Sequence, residues 1–338
     1  MSAVTVAIPT RDGGELLAGT LRALARQTVE HELLVCDSGS HDGSADLARA
    51  HGARVLEVAP AAFSHGGTRN LLMAEAEGAR VAMLTQDAQP ADERWLECLL
   101  SGFELAQDVA IVYGPYRPRP DAAFPVRIEL EGWFASLSVD GAPSLERLEQ
   151  RERELPALEL IGRRGFFTDA NACLARSAWE RVPFRQVPYA EDRVLAIDML
   201  RAGYAKAFVP AAAVVHSHDY DALQELQRCF DEWRGLREVY GWREPVRLAH
   251  IVFALRGQLA QARRELAAAD ASRSRRLATL AAVTRHHLTR LAGALLGSRA
   301  NLLPPLARRG LSLEHRSSFV PLDLDVSAGR SSTDEQSP

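Results

Sequence analysis

Short aliphatic runs alternate with helical patterns over the first 115 residues, and this alternation constrains the fold more than any other feature. Aliphatic and β-branched residues predict strands at 4–8, 33–36, 54–58, 81–84 and 109–113. Helical patterns occupy the segments between them, at 14–27, 43–52, 66–79 and 91–106. Strands that alternate with helices form βαβ units, in which helices cover both faces of the sheet. The sequence therefore predicts an α/β fold with a mostly parallel central sheet.

The remainder of the chain divides by pattern. The charge-dense segment 144–160 has a helical composition, strands and helices return at 166–220, and leucine stripes opposite arginines predict helices from 221 onward. The polar last residues are typical of disorder. We expect an α/β domain at 1–220, an Arg-rich helical extension at 221–316 and a disordered tail at 317–338.

Charge is distributed unevenly along the chain. Residues 1–240 contain 25 Lys+Arg against 36 Asp+Glu, whereas residues 241–316 contain 14 Arg against 4 acids. A basic segment on an acidic body predicts contact with an anionic surface, either membrane lipid or nucleic acid. The segment has no nucleic-acid recognition motif and no aromatic stacking pattern, so we favour membrane contact through 245–300. A solvated helical face and a dimer interface explain the same pattern.

The chain shows no signal peptide and no stretch of 18 apolar residues. We therefore expect a cytoplasmic protein, peripheral on the inner membrane face if the basic helices contact lipid.

Polar side chains follow the predicted strands at the edge where ligands of open α/β sheets collect. Asp37 ends the second strand and Asp87 follows the fourth. Neither a dinucleotide fingerprint nor a phosphate-binding P-loop is present. A carboxylate at Asp37 could accept hydrogen bonds from a nucleobase imide or a ribose hydroxyl. The alternative is turn chemistry, with Asp42 capping the next helix.

Two helix starts carry functional side chains. The first reads FSHGGTRN at 63–70, where a helix N-terminus and an arginine suit a diphosphate, although the two glycines also suit a plain turn. The second reads AEDR at 190–193 and places Glu191 and Asp192 in a first turn, where acids also act as simple caps.

Two histidines follow an apolar run near residue 215. His216 and His218 are two residues apart, so on a strand both imidazoles share one face. Neutral imidazole together with a carboxylate suits a divalent cation such as Mn²⁺ or Mg²⁺. The alternatives are a pair of surface histidines and, for Asp87, a helix cap.

Taken together, these stretches resemble family 2 glycosyltransferases, which are inverting enzymes with a nucleotide-sugar-binding domain of the GT-A type. The match runs in order over residues 3–220, through VAIPTRDGGELLAGTLRAL, LLVCDSGSHDGS, GGTRN, LTQDA and YAEDRVLAIDML. The motifs FSHGGTRN, TQDA, AEDR and HSHDY are most similar to the bacterial rhamnosyltransferase-like branch.

The resemblance implies a role for each matched residue. Asp87 would hold Mg²⁺ or Mn²⁺ with His216 and, less directly, His218. The family usually carries Asp-x-Asp here, and this chain has Gln86-Asp87-Ala88, which predicts weaker metal binding because fewer charged ligands are present. Asp192, beside Glu191, would be the general base. The nucleotide and donor sugar would contact Pro9, Thr10, Arg11, Asp37, Ser38, His65, Gly66, Arg69, Asn70, Gln86 and Asp169, although packing or a turn explains Asp169 equally.

The implied activity is metal-dependent, inverting transfer of a sugar, with dTDP-L-rhamnose as donor and a cell-envelope glycan as acceptor. A lipid-linked glycan is one form of this acceptor. A different UDP- or GDP-sugar donor is the first alternative. A nucleotidyltransferase would need further carboxylates, and the missing second aspartate fits a non-catalytic partner in a glycan-synthesis complex.

Overall fold

The computed structural model describes residues 4–162, 164–187 and 189–313, with the backbone alone for 248–250. The segment for which disorder is predicted, 317–338, lies outside the described residues. The division at residue 220 stays a prediction.

The fold is mixed α/β with two sheets. The strands are β1 (Val4–Thr10), β2 (Glu32–Asp37), β3 (Arg54–Glu57), β4 (Arg80–Leu84), β5 (Gln89–Pro90), β6 (Val109–Tyr113), β7 (Tyr116–Arg117), β8 (Ser144–Glu146), β9 (Asn171–Ala175), β10 (Ala205–Phe208) and β11 (Val214–Val215). The central sheet has the order β3-β2-β1-β4-β9-β6-β10-β8, and a small sheet has the order β5-β11-β7. In the central sheet β8 and β9 run against the other strands, which confirms a mostly parallel sheet.

Helices pack on both faces of the central sheet and continue beyond it. Their bounds are α1 (Gly14–Leu24), α2 (Ser44–Ala50), α3 (His65–Glu75), α4 (Trp95–Ser101), α5 (Phe124–Ala135), α6 (Ala157–Leu160), α7 (Arg176–Trp179), α8 (Glu191–Arg201), α9 (Ala222–Tyr240), α10 (Leu248–Ala268), α11 (Arg273–Gly297) and α12 (Pro305–Leu311).

The core follows from the alternation of side chains along the strands and from the helical spacing of the leucines. Val6 and Ile8 of β1 point to one face, where they join the buried leucines of α1, and Ala7 points to the other face, where it joins Leu72 and Met73 of α3. The side chains named here are at most 1% exposed. The sheet therefore lies between two apolar layers.

The segment 144–160 differs from its helical prediction. Residues Ser144–Glu146 form an edge strand that pairs antiparallel with β10, and only Ala157–Leu160 is an α-helix. Pairing with a neighbouring strand outweighed the local helix propensity of the charged residues, because tertiary contacts commonly override intrinsic propensity.

The C-terminal helices are attached to the α/β body by a buried charged cluster. His286 of α11 lies between two carboxylates, with Nε2 2.7 Å from Oε2 of Glu129 in α5 and Nδ1 in contact with Glu225 of α9. Arg290 adds a contact of 3.0 Å to Glu129. Within the described part of the chain, no helix combines the length and the apolar character needed to cross a bilayer.

Candidate active site

Three parallel strands bring the predicted nucleoside residues to one edge of the sheet. The register pairs Thr10 at the end of β1 with Asp37 at the end of β2. On its other side β1 pairs with β4, whose last residue is followed by Thr85 and Gln86. Thr10, Asp37 and Gln86 therefore share the carboxyl edge, as the strand-end argument expects.

The small sheet brings Asp87 and the histidine pair together. Val215 pairs with Gln89 in the antiparallel ladder of β11 and β5, so the residues just beyond these strand ends meet. Nδ1 of His216 lies 3.5 Å from Oδ1 of Asp87, and Nε2 of His218 lies 3.5 Å from Oδ2. One ligand atom from each residue lies within 4.8 Å of the others. This separation is compatible with three ligands of one cation.

Electrostatics keep this cluster in its ligating form. Burial raises the pKa of Asp87, but the interactions with His216 and His218 lower this pKa, and its net shift is downward. Burial lowers the pKa of His216 to about 4 and also lowers that of His218. Near neutral pH the cluster is thus a carboxylate with two neutral imidazoles, and its donor set fits a divalent cation.

Arg119 supports the cluster from behind, and sequence reasoning missed it. Its Nη2 donates to the backbone oxygen of Asp87 at 3.1 Å, its Nη1 donates to the backbone oxygen of Ser217, and its backbone N–H donates to Oγ of Ser217 at 3.0 Å. Arg119 therefore links Ser217, the residue between the two histidines, to the backbone of Asp87. Nothing local in the sequence distinguishes Arg119 from its neighbour Arg117.

The Gln86 side chain binds the end of β1. Its Oε1 accepts from the Thr10 hydroxyl at 2.7 Å and from the Arg11 backbone N–H at 2.9 Å, while its Nε2 donates to the Arg11 backbone oxygen at 3.2 Å. Its own backbone oxygen accepts from Thr20 at 3.0 Å. Gln86, the residue before Asp87, thus fixes the β1–α1 loop beside it.

Asp37 and Ser38 take part in a turn. Oδ2 of Asp37 accepts from the backbone N–H groups of Gly39 and Ser40, at 3.1 and 3.0 Å. Ser38 donates to the backbone oxygen of Thr10 through both its N–H and its hydroxyl. Asp42 accepts from Ser44 in the first turn of α2. The N-cap of α2 is Gly43, without a side-chain cap hydrogen bond, so Asp42 belongs to the turn before the helix and does not cap it. Asp37 stabilises a turn from its place at the sheet edge.

Arg69 is the centre of a second, buried cluster. Its guanidinium forms two contacts with Asp169, Nη2–Oδ1 at 2.7 Å and Nε–Oδ2 at 2.5 Å, and Nη1 lies 2.9 Å from Oε1 of Glu191. All three side chains are buried. Burial raises the pKa of Asp169 against the opposing effect of Arg69. In this structure Arg69 therefore neutralises carboxylates that belong to the site.

Asp192 lies beside this cluster at the start of α8. Its pKa is raised well above the usual range by burial and by the neighbouring carboxylates Asp169 and Glu191. A raised pKa suits a carboxylate that must take up a proton. Its Oδ1 accepts from the backbone N–H of Arg193 at 2.7 Å.

The backbone that presents Asp192 has a left-handed residue. Ala190, the N-cap of α8, has φ of 61°, a conformation that alanine rarely adopts and that is typical of functional sites. Neighbouring Tyr189 packs against Gly235 of α9, where a Cβ atom would come within 2.3 Å of the tyrosine Cβ. Arg193 also pairs with Glu232 of α9 at 3.2 Å. Helix α9 therefore supports the loop that carries Asp192.

The start of α3 has largely packing contacts. Asn70 bonds with Trp179 and with both backbone groups of Phe184, and a Cβ atom on Gly66 would come within 2.5 Å of the Arg185 backbone oxygen. His65 reaches toward Glu191, with Nδ1 4.0 Å from Oε1. His65 thus lies beside the buried cluster of Arg69, Asp169 and Glu191, whereas Asn70 and Gly66 contact the loop at 184–185.

Tyr116 joins the two clusters and was also missed. Its ring meets the His216 ring at a centroid distance of 4.8 Å, and its hydroxyl bonds with Thr168, the residue before Asp169. Tyr116 therefore connects the cluster of Asp87, His216 and His218 with the buried cluster around Arg69.

Comparison with known proteins agrees with this geometry. Residues 5–168 match the family model described as Glycosyl transferase family 2. The O-antigen chain rhamnosyltransferase WbaN of Salmonella anatum is 32% identical over 242 residues, which cover 68% of this chain and 71% of WbaN. The O-antigen chain rhamnosyltransferase RfbN of Salmonella typhimurium is 33% identical over 236 residues, which cover 68% of this chain and 70% of RfbN.

Solved structures show the same fold at lower identity. Mannosyltransferase PcManGT from Pyrobaculum calidifontis, in complex with GDP-Man and Mn²⁺, has a TM-score of 0.56 at 18% identity, covering 88% of this chain and 87% of its own. TarS 1-349 of S. aureus has a TM-score of 0.50 at 13% identity, covering 93% of this chain and 84% of its own. The α/β domain is thus of the GT-A type.

Proposed function

This chain belongs to glycosyltransferase family 2, and we propose that it transfers L-rhamnose from dTDP-L-rhamnose to a hydroxyl of a cell-envelope glycan. One observation carries the proposal: a metal-type cluster and a carboxylate of raised pKa line one site in a chain similar to two O-antigen rhamnosyltransferases. We further propose that the acceptor is lipid-linked.

Asp87, His216 and His218 are the proposed ligands of a divalent cation. Two imidazoles beside one carboxylate favour Mn²⁺ over Mg²⁺, because Mg²⁺ prefers oxygen ligands. PcManGT, which has the same fold, was solved with Mn²⁺. When bound, the cation would supply positive charge for the diphosphate of the donor. With one carboxylate in place of two, we expect modest affinity.

Asp192 is the proposed general base, and its chemistry balances in one step. The acceptor hydroxyl oxygen forms a bond to the anomeric carbon of the sugar while the bond from that carbon to the diphosphate oxygen breaks. The hydroxyl proton passes to the Asp192 carboxylate, and the bonding electron pair leaves on the nucleoside diphosphate. Attack from the face opposite the leaving group inverts the anomeric centre.

The carboxyl edge of the sheet is the proposed nucleoside site. Thr10, Arg11 and Asp37 lie at the ends of neighbouring parallel strands, where nucleotides bind in such folds. In our proposal Gln86 orients this edge through Thr10 and Arg11. The donor-contact set extends through Pro9, Ser38, His65 and Gly66, with Arg69, Asn70 and Asp169 shaping its wall.

Helices α10 and α11 are the proposed membrane contact. Phe253 is 80% exposed, and Arg256 and Arg264 follow it at helical spacing. Leu259, Leu277 and Leu288 line a cavity of about 720 Å³ between the helices. Apolar side chains among arginines suit an anionic lipid surface, where each basic residue adds about 1 kcal/mol.

Co-sedimentation with lipid vesicles tests this contact. We expect the protein to sediment with phosphatidylglycerol vesicles and not with phosphatidylcholine vesicles, and we expect Phe253→Glu to weaken the binding.

A thermal-shift screen of dTDP-rhamnose, UDP- and GDP-sugars with and without Mn²⁺ tests the donor and the metal. A ligand of the folded state raises the melting temperature according to its concentration relative to Kd. We expect Mn²⁺-dependent stabilisation by dTDP-rhamnose, lost in Asp87→Ala and kept in the control Glu93→Ala, which changes an exposed carboxylate nearby. A response to another donor would replace rhamnose, and no response to any donor would favour a non-catalytic partner.

A further inference from the structure

An acceptor hydroxyl that gives its proton to Asp192 must lie within hydrogen-bond reach of that carboxylate. The sugar ring that carries the hydroxyl must then rest on whatever surface adjoins Asp192. The next residue, Arg193, directs its guanidinium toward the Phe166 ring, 5.7 Å from the centroid. Phe166 therefore lies beside the residue that follows the proposed base.

Trp133 in turn contacts Phe166. Its ring meets the Phe166 ring edge to face, with centroids 5.0 Å apart and an interplanar angle of 75°. Trp133 lies near the end of α5 and is 41% exposed. A large apolar ring left this open beside a candidate site has unused contact area for a ligand.

The indole N–H of Trp133 also differs from those of the other four tryptophans. Trp95 donates to Asn171, Trp179 to Asn70, and Trp233 and Trp242 both donate to Glu244. Among the residues that the structure describes, the indole N–H of Trp133 has no protein acceptor. An aromatic face together with a free donor is well suited to a sugar, which offers C–H groups on its ring faces and hydroxyls at its rim.

We propose that Trp133, backed by Phe166, is the platform on which the sugar ring of the acceptor lies while its hydroxyl reaches Asp192. The ring face of the acceptor covers the indole, and a neighbouring hydroxyl accepts from the indole N–H. This inference rests on the proposed transferase function, and it assigns Trp133 to the acceptor and not to the nucleotide sugar.

Steady-state kinetics on three variants test the platform. The acceptor probes are octyl α-D-galactopyranoside, octyl α-D-mannopyranoside and octyl β-D-glucopyranoside, with dTDP-rhamnose as donor. Trp133→Ala removes the ring and the donor, Trp133→Phe keeps a ring without the N–H, and Val139→Ala is the control because Val139 is an exposed apolar side chain just beyond α5.

We expect Trp133→Ala to raise the acceptor KM about tenfold, Trp133→Phe to raise it by less, and Val139→Ala to leave it unchanged. The KM for donor and the slow hydrolysis of donor without acceptor should stay at wild-type values in all three, which a general loss of structure would not allow. An acceptor KM for Trp133→Ala within twofold of wild type, or an equal rise in donor KM, would overturn the platform. A wild type that neither hydrolyses nor transfers any nucleotide sugar would contradict the proposed function instead.

Discussion

Replacing Arg69 with methionine should destabilise the protein in a pH-dependent way. The guanidinium contacts Asp169 twice and Glu191 once, at 2.5 to 2.9 Å, and all three side chains are buried. Methionine fills similar space without charge, so two buried carboxylates would lose their counterion.

The magnitude follows from this burial. Removing one partner of a buried ion pair costs about 3–5 kcal/mol because a buried charge is left without compensation. Burial already raises the pKa of Asp169 despite Arg69, and without the cation this pKa rises further. Below that raised pKa the folded variant binds a proton that the unfolded chain does not, so its deficit shrinks as pH falls, by up to about 1.4 kcal/mol per pH unit.

Urea unfolding followed by circular dichroism at pH 7.5 and pH 5.5 measures both effects. Arg94→Met is the matched control, because Arg94 pairs with Glu97 on the exposed surface and should leave the midpoint unchanged at either pH. A deficit for Arg69→Met no larger than that of the control, or one equal at the two pH values, would refute the buried-counterion reasoning.

Three further predictions concern other parts of the molecule. Asp192→Asn should lower the rate of transfer by about 10²–10⁴-fold with donor KM unchanged in steady-state assays, and wild-type turnover in this variant would remove Asp192 as base. Gln86→Ala loses three hydrogen bonds to Thr10 and Arg11, so it should lower the free energy of unfolding by about 1–3 kcal/mol and raise the KM for donor. An unchanged KM for donor would show that these hydrogen bonds stabilise the fold without shaping the donor site. Burial lowers the pKa of His286, but hydrogen bonds with Glu129 and Glu225 raise it more, to a net upward shift. The stabilisation that protonated His286 contributes is then complete below the unfolded-state pKa of about 6.5 and is lost as pH rises through the folded-state pKa. Urea midpoints measured between pH 6 and 9 should therefore fall less steeply for His286→Ala than for the wild type.

The parallel strands of the fold were predictable because their signal is local. Alternation of aliphatic runs with helical patterns located β1, β2, β3, β4 and β6 to within a few residues. The antiparallel insertion of β9 between β4 and β6 was not predictable, because strand order depends on pairings between distant segments. For the same reason the sequence predicts a helix where the edge strand β8 lies.

Some features of the site were likewise predictable from the sequence, and others were not. Strand-end reasoning predicts Asp37 and Asp87 at one edge, since parallel strands end together. It could not show that Arg69 is neutralised by Asp169 and Glu191, which are 100 and 122 residues away in the chain. Arg119 and Tyr116 escaped notice because their roles depend on contacts with backbone and rings that no short motif encodes.

The contact between Tyr189 and Gly235 makes α9 part of the framework that positions the loop before Asp192. A chimera that joins residues 1–220 to the helices of a relative would keep Asp192 in place only where glycine occupies the position of Gly235, because any side chain there would displace Tyr189. Truncation before α9 would remove this contact and the partner of Arg193 at Glu232. Recombination among such enzymes is therefore expected to exchange the loop at 189–192 and the first C-terminal helix as one inherited unit.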